Sequence, residues 1–214
     1  MKLTWNSSTT GQVGFHVAEL GEYDAEPPVR ALLLDHAPTS INLEREAIAA
    51  YLAFGRWASG DLTLPHRLGP NTAHAIESDM KHVSVRPNPI EYYPKPLELG
   101  IRTVRVSLGE ATLTSSQPAI TVLDSSEWNG SIRGLRSVAV GANAIALDRA
   151  ASTDFEQIRA RLAVAVLFAG DLSADVLDVV GVQHLPKAER NRIEALLLAA
   201  RLGVTFSGSS QMRV

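Results

Sequence analysis

The sequence predicts an α+β domain: a mixed or mainly antiparallel sheet, one helix after the third strand, and two or three C-terminal helices packed on it. Three observations carry that expectation. Period-2 alternation recurs through the first two thirds of the chain, a capped amphipathic helix interrupts it after residue 41, and helical periodicity takes over beyond residue 150. Residues 1–150 therefore read as a strand-rich α+β core, and 151–214 as a helical part on the same core.

In "QVGFHVAEL", Val13, Phe15 and Val17 alternate with Gly14, His16 and Ala18, the pattern of a half-buried strand. "GEYDAEPP" is an acidic loop closed by prolines that cannot donate to a ladder. "VRALLLD" is continuous enough for an interior strand covered on both faces. The helix that follows has Asn42 as its N-cap and Glu44 and Glu46 in the first turn, where the dipole favours anions. Leu43, Ala47, Tyr51 and Phe54 make its apolar face, and Gly60 ends it.

A short helix is expected to begin near Asn71, after Pro65 and Pro70. "HVSVR" alternates again, and the proline-rich run from Pro87 to Pro96 excludes an interior strand or a helix. "RTVRVSL" is a strand, and "AITVL", "SIRGLRSVAV" and "AIALD" read as a three-stranded meander. Its turns fall at Asn129-Gly130 and 141–143, with a bulge near Gly134. Thr153 and Glu156 form a capping box before the apolar segment Ile158–Ala169. The segment 174–182 fits helix or strand equally, and Pro186 opens a last helix that Gly203 stops.

Composition bounds the function. Hydrophobic residues at 45% and charged residues at 20% are those of a folded globular chain. With no cysteine, disulfides, thiolate zinc sites, iron–sulfur centres and a cysteine nucleophile are all excluded. The N-terminal "MKLTWNSSTTGQVG" has no apolar core of signal-peptide length and no window reaches membrane-span length, and the absence of cysteine fits a reducing setting, so a cytoplasmic protein is expected. A net charge of −3 leaves no global basic footprint, and nucleic acid is not expected as a partner. Local basic patches are not excluded by a whole-chain balance.

Three clusters could carry chemistry. His66, His74 and His82 recur every eight residues, and Glu77 shares a helical face with His74. Imidazole and carboxylate together suit a divalent metal, although H-E-x-x-H and H-x-H are absent. Asp35 and His36 close a strand just before a helix start, a usual place for acid–base groups. Adjacent side chains of an extended chain point to opposite sides, so a direct hydrogen bond between the two is not expected. In "RPNPIEYYPKPLELG", Arg86, Tyr92, Tyr93 and Lys95 form a pre-organised strip suited to a partner.

"VLFAGDLSADVL" bears a faint likeness to the Ser-Gly-Gly-x-Asp-Ser phosphate loop of ATP pyrophosphatases. It lacks the first serine and the second glycine, and no family is assigned on it. Without a strong catalytic motif, the sequence points to a non-catalytic binding or assembly subunit. It would meet a protein partner, a second copy or a small ligand through the loop at 35–42 and the strip at 86–97. The alternative is a metal-assisted hydrolase using the His/carboxylate cluster, with a divalent metal as its cofactor.

Overall fold

A computed structural model describes residues 1–7, 9, 11–80, 83–93, 99–109, 117–126, 131–149, 156–182 and 185–208. The eleven strands among these residues form one sheet. In chain order the elements begin β1 (Lys2–Ser7), β2 (Val13–Glu19), β3 (Ala31–Leu34), α1 (Leu43–Phe54), β4 (Gly60–Leu68), α2 (Pro70–Asp79) and β5 (Val85–Ile90). They continue with β6 (Arg102–Leu108), β7 (Ala119–Asp124), β8 (Ser131–Arg133), β9 (Ser137–Ala142) and α3 (Ala144–Asp148). The last are α4 (Arg159–Phe168), β10 (Ala174–Val180), α5 (Lys187–Leu198) and β11 (Gly203–Ser207).

The order across the sheet is β11-β10-β6-β7-β9-β3-β2-β1-β4-β5, with β8 beside β9. Six of the ten pairings are parallel, and this corrects the expected α+β class: the protein is of α/β type. The physical reason lies in the connections. β7 and β9 pair parallel, so the hairpin at Gly134 joins β8 to β9 rather than building a three-stranded meander. "AIALD" is helix α3, not a strand. The ambiguous segment is strand β10, and the chain after α5 returns as β11 parallel to it, a βαβ unit. Gly203 opens that strand instead of only stopping a helix.

The remaining elements follow their local chemistry. Asn42 caps α1 by accepting from the backbone N–H groups of Glu44 and Arg45. Residues 45–54 of α1 are all buried, as expected of a helix enclosed on every side. Ile48, Tyr51, Leu52 and Phe54 anchor it, each stabilising the fold by about 1.5–3 kcal/mol on burial. β4 runs through Pro65, where its register to β5 jumps from Thr63↔Asn88 to Leu68↔Ile90. β5, with two prolines, lies at the sheet edge where a missing donor is tolerated.

β9, β7, β6, β10 and β11 are, in order of appearance, third, second, first, fourth and fifth of a parallel block. That is a doubly wound order, with its switch point between β6 and β10. The antiparallel β1–β3 and the parallel pair β4–β5, with β5 at the edge, extend it. Side chains stitch the seam between the two halves. Asn143 accepts from Leu33 N–H at 2.8 Å and donates to the Ala31 carbonyl at 3.0 Å. Asp35 accepts from Gly141 N–H at 3.0 Å.

The helices form one linked layer: α3 packs on α4, α4 on α1, and α1 on α2 and α5. α2 also packs on β5 and on α5, and α5 on β11. Those strands are the two opposite edges of the sheet. A flat sheet of this width would hold them about 43 Å apart, at about 4.8 Å per strand. Three successive packing distances of about 8–10 Å bring them within about 30 Å. The sheet therefore curls around its helices, and α2 and α5 meet where its edges approach.

Candidate binding crevice

The contact between α2 and α5 is polar at its base. Asp79, buried at the end of α2, accepts from Tyr51 Oη–H at 2.6 Å and from Arg192 Nε–H at 3.0 Å. Arg159 approaches the same carboxylate at 3.5 Å, and Arg192 also donates to the Asp79 carbonyl at 2.9 Å. A carboxylate at a helix C-terminus opposes the dipole, so the two guanidinium groups are what hold it there. Burial raises the Tyr51 phenol above its ordinary pKa, with the Asp79 charge adding to it against Arg159. The phenol stays a proton donor at neutral pH.

Above this base lies a cavity of about 520 Å³ lined by Asn71, His74, Ser78, Ala195 and Leu198. A second cavity of about 300 Å³ is lined by Glu44, Arg67, Glu91, Tyr92 and Tyr93. Both include Asn71 and Ala199, so together they make one crevice. Pro70 at the first position of α2 and the Gly69 N–H bonded to Glu44 at 2.9 Å fix its middle. Tyr92 and Tyr93 stand 76% and 80% exposed at one end, and Leu198 is 62% exposed along the wall.

Of the residues singled out from the sequence, His74, Tyr92 and Tyr93 line this crevice. His74 Nε2 lies 3.5 Å from Ser78 Oγ. Glu77 is exposed on the same helix. His66 is on β4, its Nδ1 2.7 Å from Glu46 on α1. Burial raises the Glu46 pKa, and the hydrogen bond from His66 pulls it back. Arg86 on the edge strand β5 pairs with Asp61 on β4 at 3.1 Å. His82 and Lys95 lie outside the described residues. Among the described residues, no group of three or more His, Asp or Glu is placed to hold a metal ion.

Asp35 and His36 do hydrogen-bond each other, His36 Nδ1 to Asp35 Oδ1 at 2.6 Å, against the expectation from an extended chain. β3 ends at Leu34 and residues 35–36 bend, so alternation no longer applies. The His36 ring packs edge-on to Phe168 at 5.0 Å. The loop beyond is tied down: Arg133 donates to the Ala37 carbonyl at 2.6 Å, and Thr39 N–H to Asp171 at 2.9 Å. Asp171 belongs to a 3₁₀ turn at Gly170–Leu172 between α4 and β10. "VLFAGDLSADVL" thus runs helix to strand, the reverse of a phosphate loop that leads from a strand into a helix.

Sequence reasoning missed the roles of Asp79 and Arg192, whose one signal was an acidic residue in a helix's last turn. It also missed the clamp at the carboxyl end of β6. Arg161 donates to Asp148 at 2.8 Å and to the Leu108 carbonyl at the end of β6, also at 2.8 Å. Burial pushes the Asp148 carboxyl up to about 6, against the hydrogen bonds from Arg161 and Ala160 N–H.

Fold and site together describe an α/β protein with a five-stranded parallel block of order 3-2-1-4-5 and a two-helix crevice at the sheet's closing edges. No helix among the described residues is long and apolar enough to cross a membrane. No family model, curated protein or solved structure matches the chain.

Proposed function

We propose that this chain is a non-catalytic binding subunit that takes a partner polypeptide in the α2–α5 crevice. The observation that carries the reading is the crevice itself: a largely aliphatic cavity continuous with two exposed tyrosines beside Glu44 and Glu91. An apolar anchor fills a cavity of this size between helices. Arg67 at the same end pairs with Glu91 at 3.4 Å, so the remaining carboxylate of Glu44 and the tyrosine faces are what favour a cationic side chain next to it. The partner segment is therefore an apolar residue followed closely by Lys or Arg. The downstream end of the 35–42 loop, at Asn42, leads directly into Glu44 in the crevice wall.

Selection of a random peptide library on the immobilised protein tests this. Enriched peptides are expected to share the apolar–basic pair. Their affinity should fall by about thirty-fold or more in Tyr92→Ala/Tyr93→Ala, since interfacial tyrosines carry about 2 kcal/mol as hot spots. Leu198→Asp should weaken them as well. No enrichment, or peptides that bind both variants as tightly as wild type, refutes the reading.

A further inference from the structure

The amino-terminal edge of the parallel block carries a second feature, lined by none of the crevice residues. A cavity of about 350 Å³ opens there, lined by Arg102, Thr103, Pro118 and Arg136. The strand register assembles it. Arg105 on β6 pairs with Ala119 on β7, and Ala119 with Ser137 on β9. Pro118 and Arg136 therefore sit side by side one residue earlier, and Ala119 N–H donates to the Arg136 carbonyl at 2.8 Å. Arg102, opposite Ala174 of β10, closes the other side.

Among the described residues no carboxylate pairs with either arginine of this cavity. Elsewhere Arg30, Arg67, Arg86, Arg133, Arg161 and Arg192 each meet a carboxylate. Arg102 and Arg136 are exposed and meet none among the described residues, in a chain whose net charge is −3. Asp175, next in β10 to Arg102's partner Ala174, makes no ion pair with it among the described residues. Close by on β6, the Nε of Arg105 is buried without a hydrogen-bond partner among the described residues. Proteins seldom leave adjacent cations uncompensated around a cavity, because like charges repel across short distances.

We infer that this cavity is an anion site for a phosphoryl group of a small phosphorylated molecule, gripped between the Arg102 and Arg136 guanidinium groups with the Thr103 side at its rim. Planar guanidinium forks match phosphate oxygens and bind them in bidentate fashion. The cavity has small-molecule dimensions, and it involves only the ends of three strands rather than an extended basic track. It stands independently of the crevice and its partner.

Calorimetric titration with inorganic phosphate and with pyrophosphate, at ionic strength matched with potassium chloride, tests the site. Saturable binding is expected, tighter for pyrophosphate, and weakened about tenfold or more in each of Arg102→Gln and Arg136→Gln. Arg149→Gln, which removes an exposed arginine outside the cavity, should leave it unchanged. Both cavity arginines are exposed, so the variants should fold; thermal melting without ligand checks this. No saturable binding above the chloride control, or equal affinity in the glutamine variants, overturns the inference. Tighter binding of a single-stranded oligonucleotide than of pyrophosphate, lost in the same variants, would overturn the small-molecule assignment.

Discussion

Asp79→Ala is expected to be among the most damaging single truncations in the helix layer. The carboxylate accepts from Tyr51 and Arg192 and lies 3.5 Å from Arg159. Its side chain is 4% exposed, with Arg159 at 7% and Arg192 at 25%. Removing one partner of a buried ion pair leaves the other charge uncompensated, at a cost of about 3–5 kcal/mol. Arg192 reaches partial solvent and keeps Glu189 at 2.9 Å, so most of the loss falls on Arg159 and Tyr51. Asp79→Asn keeps shape and one acceptor oxygen and should cost about 1.5–3 kcal/mol, the worth of hydrogen bonds to a charged group. Tyr51→Phe should cost a similar amount, and far less when made in the Asp79→Ala background, because the two share one interaction. Urea unfolding measures each value, with the midpoint moving and the slope constant. A loss below about 1 kcal/mol for Asp79→Ala would refute the view that this network holds α2 against α5.

Other outcomes follow from the same contacts. Asp148, held at about 6 against an ordinary 3.8, binds its proton more tightly folded than unfolded. Its stabilising contribution is complete below about pH 4 and lost as pH rises through about 6, a change on the order of 3 kcal/mol. Unfolding of wild type and Asp148→Asn across pH 4–7 should show that slope only in wild type. Gly14→Ala would drive a Cβ into the Leu32 carbonyl on the neighbouring strand and should destabilise by about 1–3 kcal/mol, read as a lowered melting temperature. Arg133→Ala should cost about 1–3 kcal/mol, because the half-exposed arginine leaves the buried Asp171 carboxylate with the Thr39 N–H in place of its cation. Hydrogen exchange at Thr39 should also quicken, because Arg133 and Asp171 together hold that loop.

Local structure was legible where a residue's own chemistry decides it. Asn42 and Pro186 mark helix starts by what they can donate, accept or forgo, and α1, α2 and α5 begin within a residue of where the sequence put them, although α1 stops at Phe54 and Gly60, expected to end it, opens β4 instead. Strand direction was not legible. β7 and β9 have the same alternation whether they pair parallel or antiparallel, and only the crossover decides. β10, "ADVLDVV", carries a run too short for periodicity to separate helix from strand; its place between β6 and β11 settles it. The tyrosine strip was visible because prolines and aromatics advertise themselves. Its neighbours in the crevice, Glu44 and Ala199, are far apart in sequence and become neighbours only when the curled sheet brings α1, α2 and α5 together.

The most direct test of the crevice is amide chemical-shift mapping with a selected apolar–basic peptide. Perturbations are expected at Asn71, His74, Tyr92, Tyr93, Leu198 and Ala199, on both walls of the α2–α5 groove. Perturbations confined to the Thr39 loop, the Gly109 end of β6 or the Arg136 edge would contradict the account.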